Sequence, residues 1–162
     1  MCIRDRVDKV ELTVLVEDYA GYDSGLLAQH GVSFYLELSN EAGQHRILFD
    51  TGQSAEAVLN NMKLLGKEPG DVGYVVLSHC HYDHTGGLIG ILEACSKKPL
   101  PVLAHPAIFR PNFSLKPALR SVGMKPGDSR ETVEKAGGEL FLTSEPFSLT
   151  AGVLTTGEIR NR

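Results

Sequence analysis

Leu77-Ser78-His79-Cys80-His81-Tyr82-Asp83-His84-Thr85-Gly86-Gly87-Leu88 sets three imidazoles and a carboxylate within six residues, directly after the apolar run Tyr74-Val75-Val76-Leu77 and before a glycine pair. A short apolar run bounded by turn signals reads as a buried strand. Extended backbone sends alternate side chains the same way, so His79 and His81 converge while Cys80 and Tyr82 face elsewhere. Asp83 and His84 fall in the turn that leads to the next helix, within reach of a second position beside the first. Neutral imidazole and carboxylate suit Zn(II), and also Fe(II) or Mn(II). Water on such an ion loses a proton near neutral pH, which supplies a hydroxide nucleophile. The plainer alternative, four polar residues in a solvated turn, fits their density and placement poorly.

Upstream, Val10, Leu12, Val14 and Val16 alternate within residues 9–17, as do Val32, Phe34, Leu36 and Leu38 within 32–39. Each pattern predicts a half-buried strand. The connection 18–31 is long and glycine-bearing; it either borders the active site or is a plain surface loop. Ile47-Leu48-Phe49 is a short strand entering Asp50-Thr51-Gly52. Ala55, Val58, Leu59, Met62 and Leu65 then recur at helical spacing, with Ser54 as cap and Gly66 as stop. After the metal-type turn, Leu88, Ile89, Leu92 and Cys95 form the buried stripe of a second helix.

Downstream of a strand at 100–104, residues 106–127 carry Pro106, Pro111, Pro117 and Pro126 with little periodicity, which reads as an extended active-site loop. Its Arg110, Lys116, Arg120 and Lys125 precede any acid, so Arg110, Lys116 and Arg120 are candidates to meet a substrate phosphate. A solvated basic loop explains the same charges. Asp128 and Glu131 read as a capping box for a helix ending near Gly137, and short strands are expected at 139–143, 147–150 and 153–156. Strands followed by helices, with antiparallel hairpins at both ends, give an α/β class: a mixed sheet covered by helices.

The 162 residues are 42% hydrophobic, enough for one domain with a sizeable core. A net charge of −4 gives no support for a nucleic-acid partner. No apolar stretch reaches the length of a membrane span, so no membrane partner is expected. Cys2, Cys80 and Cys95 do not make a disulfide framework, and a cytoplasmic location is the expectation. Alternation turns Cys80 away from the imidazoles, which favours a small packing residue over a thiolate ligand. His30, His45 and His105 lack ligand spacing and read as structural or exposed, His30 in the long loop being the least settled.

Residues 77–88 resemble the HxHxDH signature of the metallo-β-lactamase-fold hydrolases. Ile47-Leu48-Phe49-Asp50-Thr51-Gly52 is similar to the strand and turn of that superfamily's first motif. Leu12–Glu17, Gly25–Gly31, Phe49–Gln53, Ala104-His105-Pro106 and Thr156–Ile159 extend the likeness. They resemble the branch named for a 7,8-dihydropterin-6-yl-methyl-4-(β-D-ribofuranosyl)aminobenzene 5'-phosphate synthase. The resemblance implies an αββα sandwich, two sheets face to face between helical layers, with two divalent metal ions at one edge. Zinc comes first among those ions, with iron or manganese as alternatives.

It also implies that His79 and His81 serve a first metal, Asp83 and His84 a second, and that Asp83 handles a proton in catalysis. Asp50 would orient the metal loop by hydrogen bonding. The family's later His, bridging Asp and final His find no counterpart before Arg162. Residues 7–162 therefore read as the N-terminal portion of such a domain, and 1–6, which lack any strand or helix pattern, as a non-native addition. An uncovered apolar sheet face would then promote self-association. The expected function is a metal-dependent hydrolase that activates water on a small-molecule substrate, complete only with residues beyond this chain. The alternatives are a pterin-linked synthase-type enzyme, or a non-catalytic metal-binding fragment or subunit.

Overall fold

The two alternating segments and the apolar run at 47–49 pair with one another in sequence order. The computed structural model describes residues 6–159. The expected non-native stretch lies outside those residues except for Arg6, as do the last three positions. β1 (Val7–Val16), β2 (Ser33–Asn40) and β3 (Gly43–Phe49) form an antiparallel meander. β4 (Tyr74–Val76), β5 (Leu100–Ala104) and β8 (Gly138–Leu142) then add in parallel, so the six-stranded sheet runs β1-β2-β3-β4-β5-β8. β6 (Phe113–Ser114) with β7 (Arg120–Ser121), and β9 (Ser148–Thr150) with β10 (Val153–Leu154), are separate hairpins. The β6–β7 pair lies where the sequence shows only a proline-rich loop. β3 also begins earlier than its apolar run, at Gly43, since pairing with β2 carries the polar Gln44, His45 and Arg46 into the ladder.

The parallel strands are joined by helices that cover one face. α1 (Ala55–Leu64) packs Ala57, Val58 and Met62 inward, and α3 (Leu88–Ala94) packs Leu88, Ile91 and Leu92. α4 (Arg130–Lys135) contributes Val133. These meet Tyr35, Leu48, Val75 and Val102 in the principal core, where each fully buried aliphatic side chain contributes roughly 1.5–3 kcal/mol. The α1 stripe departs from expectation at two points: Leu65 is 38% exposed, while the polar Asn61 is buried. Asn61 donates to the carbonyls of Leu15 and Leu27 and accepts from the Leu27 amide, so it ties the β1–β2 connection to the helix. The α4 cap is Ser129 reciprocated by Thr132, one residue later than the expected Asp128–Glu131 pair.

The opposite face of the sheet is apolar too. Registers place Val10, Leu12 and Val14 beside Leu38, Leu36 and Phe34, and continue to Ile47, Phe49, Val76 and Leu103. Among the described residues, Phe147, Leu149 and Val153 of the β9–β10 region pack over part of it. The expectation that Val10, Leu12 and Val14 are half-buried is therefore corrected: they are 56%, 55% and 45% exposed. They belong to the edge strand, on the side away from the helices. Among the described residues no helix is long and apolar enough to cross a membrane.

Candidate metal centre

β3 and β4 run parallel and end side by side, so the turns after them meet at one sheet edge, where α/β folds place their sites. The Asp50 amide donates to the Val76 carbonyl, and the Thr51 amide and hydroxyl both donate to the His84 carbonyl. Asp50 takes a left-handed φ of 58°, a conformation uncommon outside glycine and found where surrounding contacts over-determine it. α2 (Tyr82–Thr85) is a single turn carrying Asp83 and His84. The glycine pair after it has a steric reason: a Cβ on Gly87 would stand 2.2 Å from the Thr51 carbonyl oxygen. Glycine there lets the two turns close on each other.

The turn brings the three motif imidazoles together. The His79 ring centroid lies 4.6 Å from that of His81 and 4.1 Å from that of His84. Each ring has one nitrogen engaged by a protein group. His79 Nδ1 lies 2.9 Å from Ser78 Oγ, His81 Nε2 lies 3.0 Å from Asn112 Nδ2, and His84 Nδ1 lies 2.7 Å from Asp50 Oδ2. At His79 and His84 the partner is an oxygen that accepts a ring N–H, the hold characteristic of a metal-binding imidazole, so their Nε2 lone pairs fit a divalent ion; at His81 the Asn112 amide nitrogen faces Nε2 instead. His79 Nε2, His84 Nε2, the His81 ring and the Asp83 carboxylate would hold the ion. Burial, reinforced by neighbouring His84 and His81, pushes His79 below the usual histidine range and favours the neutral, ligating ring.

Asp50 sits at the centre of this support. Its side chain is 1% exposed; Oδ1 accepts from the Ser78 amide at 2.8 Å, and Oδ2 accepts from the Ser78 hydroxyl and His84. The geometry is that of an orienting carboxylate, held one layer behind the imidazoles. Asp83 is buried, with Oδ2 3.5 Å from His84 Nε2. Among the described residues no three His, Cys, Asp or Glu side chains already close on a single point. Cys80 packs partly against the core as expected, its sulfur 3.7 Å from Asn112 Nδ2.

A cavity of about 860 Å³ opens from the metal turn along the outer sheet face, its wall running from Ser78, His79 and Cys80 to Arg110. Of the three basic residues proposed for a phosphate, Arg110 lines this cavity. Lys116 and Arg120 stand on the β6–β7 hairpin and do not line it. Lys125 is engaged elsewhere, its ammonium donating to the carbonyls of Gln53 and Gly86 and tying the proline-rich segment to both site turns. His45 is structural, bonded to Asn40 and Thr150, and His105 accepts from the Ala107 amide.

Three residues that pattern reading did not assign belong to the site. Ser78 adjoins the motif and was detectable by position. Asn112 is a lone amide in a proline-rich stretch, with no local signal. His30 stands in the long loop, whose end packs on Asp83: a Cβ on Gly31 would lie 1.9 Å from the Asp83 carbonyl oxygen. The loop therefore borders the site.

A helix-covered mixed sheet with histidines and aspartates in the turn after a parallel strand defines an α/β protein with a candidate metal site. The chain belongs to the metallo-beta-lactamase superfamily, whose family model matches residues 29–156. It is 42% identical over 156 residues to the 7,8-dihydropterin-6-methyl-4-(beta-D-ribofuranosyl)-aminobenzene-5'-phosphate synthase of Methanocaldococcus jannaschii, spanning 96% of this chain and 53% of that protein. A solved metal-dependent hydrolase of the beta-lactamase superfamily overlays with TM-score 0.63 at 23% identity, over 87% of this chain and 45% of its own. A quorum-quenching N-acyl homoserine lactone lactonase overlays at 0.52 with 20% identity, over 93% and 62%. The chain thus spans about half the length of the first of these relatives, and its fold is part of the superfamily's domain.

Proposed function

We propose that this chain carries the metal-binding half of a hydrolase that uses two divalent ions, zinc foremost, to activate water against a small-molecule substrate. The observation that carries this reading is the trio His79, His81 and His84, packed ring against ring, each with one nitrogen anchored. Bound there, such ions supply Lewis acidity and a water of lowered pKa. The protein's own part is positional. Asp50 fixes the His84 ring and the Ser78 backbone, and Asn112 holds His81. Asp83 turns Oδ2 toward His84 Nε2, which leaves its other carboxylate oxygen to hold a proton. The apolar cavity wall excludes water from one side of a substrate, while Arg110 offers a bidentate cation.

The likeness to the M. jannaschii synthase favours a second reading, an enzyme acting on a phosphorylated, pterin-linked substrate, with Arg110 meeting the phosphate. Metal analysis after dialysis, together with hydrolysis of ester, phosphoester and lactone probes, tests the first reading. In the full-length protein, His81→Ala should lose metal and activity, and Cys80→Ser should keep both. Full-length protein that holds no metal in zinc-supplemented buffer would refute it. Inhibition by inorganic phosphate in the same assay would favour the phosphorylated substrate.

A further inference from the structure

His30 is placed unlike an ordinary exposed histidine. Its Nδ1 lies 3.1 Å from Asp18 Oδ1, and its Nε2 lies 3.5 Å from Asp83 Oδ2. His84 shows the same arrangement: Nδ1 on the Asp50 carboxylate and Nε2 3.5 Å from the same Asp83 oxygen. With an N–H at Nδ1 donated to a carboxylate, the Nε2 lone pair is left facing Asp83, which is the carboxylate–histidine–metal pattern. The spacing is also informative. Nitrogen and oxygen donors about 2.0–2.1 Å from a tetrahedral ion stand about 3.3–3.4 Å apart, close to both observed separations and longer than a good hydrogen bond.

The loop that carries His30 is held at several points. Gln29 exchanges hydrogen bonds with Ser54, Asn61 fixes Leu15 and Leu27, and Gly31 presses on the Asp83 backbone where no Cβ fits. The His30 side chain is 65% exposed, so the position between it and Asp83 is open to an ion from solvent.

We propose that His30 is a metal ligand, the third protein donor beside Asp83 and His84, and that the β1–β2 loop is thereby part of the metal centre. The inference rests on the metal-site reading above. It is tested by zinc titration against a competing chelator on the whole protein, comparing wild type, His30→Ala, His30→Gln and the distant control His45→Ala, with metal-free thermal unfolding of each. Loss of an outer partner costs about 10–100-fold in affinity, so a direct ligand should cost more. The expected result is loss of one equivalent by more than about 100-fold in both His30 variants, with the other equivalent retained and metal-free unfolding unchanged. A loss of 100-fold or less in His30→Ala, or near-wild-type binding by His30→Gln, would overturn the assignment and leave the metal centre standing. Wild-type protein that binds no zinc would overturn the metal-centre reading itself.

Discussion

Asp50→Ala strikes the point on which the metal turn depends. The carboxylate accepts from the Ser78 amide at 2.8 Å, the Ser78 hydroxyl at 2.7 Å and His84 Nδ1 at 2.7 Å, and is 1% exposed. Removing it leaves three donors without their acceptor, at about 1–3 kcal/mol for each that stays buried. Water can reach part of Ser78 and His84, so the combined loss is about 3–5 kcal/mol. The backbone adds to it, because alanine in the left-handed region costs roughly 1 kcal/mol where aspartate or asparagine is tolerated. Asp50→Asn keeps that backbone tolerance and one oxygen acceptor, but sets an amide N–H against a former donor. It should lose about 1.5–3 kcal/mol. At about 2–4 °C per kcal/mol for a chain of this size, the alanine variant should melt about 8–24 °C lower and the asparagine variant about 3–12 °C lower. Thermal unfolding followed by circular dichroism without metal measures both. If both variants melt within about 2 °C of wild type, Asp50 does not organise the turn and the support argued for His84 is wrong.

Acidification should weaken the metal-free protein. His79 lies below its ordinary value of 6.5 in the fold, so the unfolded chain binds more protons as pH falls; stability is full above about 6.5 and declines below it, toward the lower folded value. Urea unfolding across pH 5–8 should show this slope, and His79→Gln should reduce it; an unchanged slope would remove His79 as its source. The exposed face of Val10, Leu12 and Val14 should drive association between molecules. Sedimentation should show concentration-dependent mass that Leu12→Glu diminishes, and a wild type that stays monomeric at high concentration would count against it.

Much of this architecture is written locally. Period-two alternation in 9–17 and 32–39, helical spacing in 55–65, and the density of His and Asp in 79–84 each express a rule acting over a few residues. The strands, helices and metal turn followed from them. What they could not supply is orientation and long-range contact. Alternation says that Val10, Leu12 and Val14 share a face, but the packing of the helices on the other face of the sheet decides that this one is exposed. Helical spacing predicts Leu65 inward, yet the backbone carbonyls of Leu15 and Leu27 make Asn61 the buried residue. Likewise Asn112 reaches His81, and His30 reaches Asp83, only because distant loops fold over one sheet edge. Hydrogen-bond partners separated by 31 residues, or ion-pair neighbours as far apart as His30 and Asp83, leave no periodic trace. The sequence by itself determined most of the elements and the candidate metal turn, because those depend on backbone geometry between near neighbours. The tertiary structure decided which face is uncovered and which remote side chains complete the site, because those depend on where the chain returns in space.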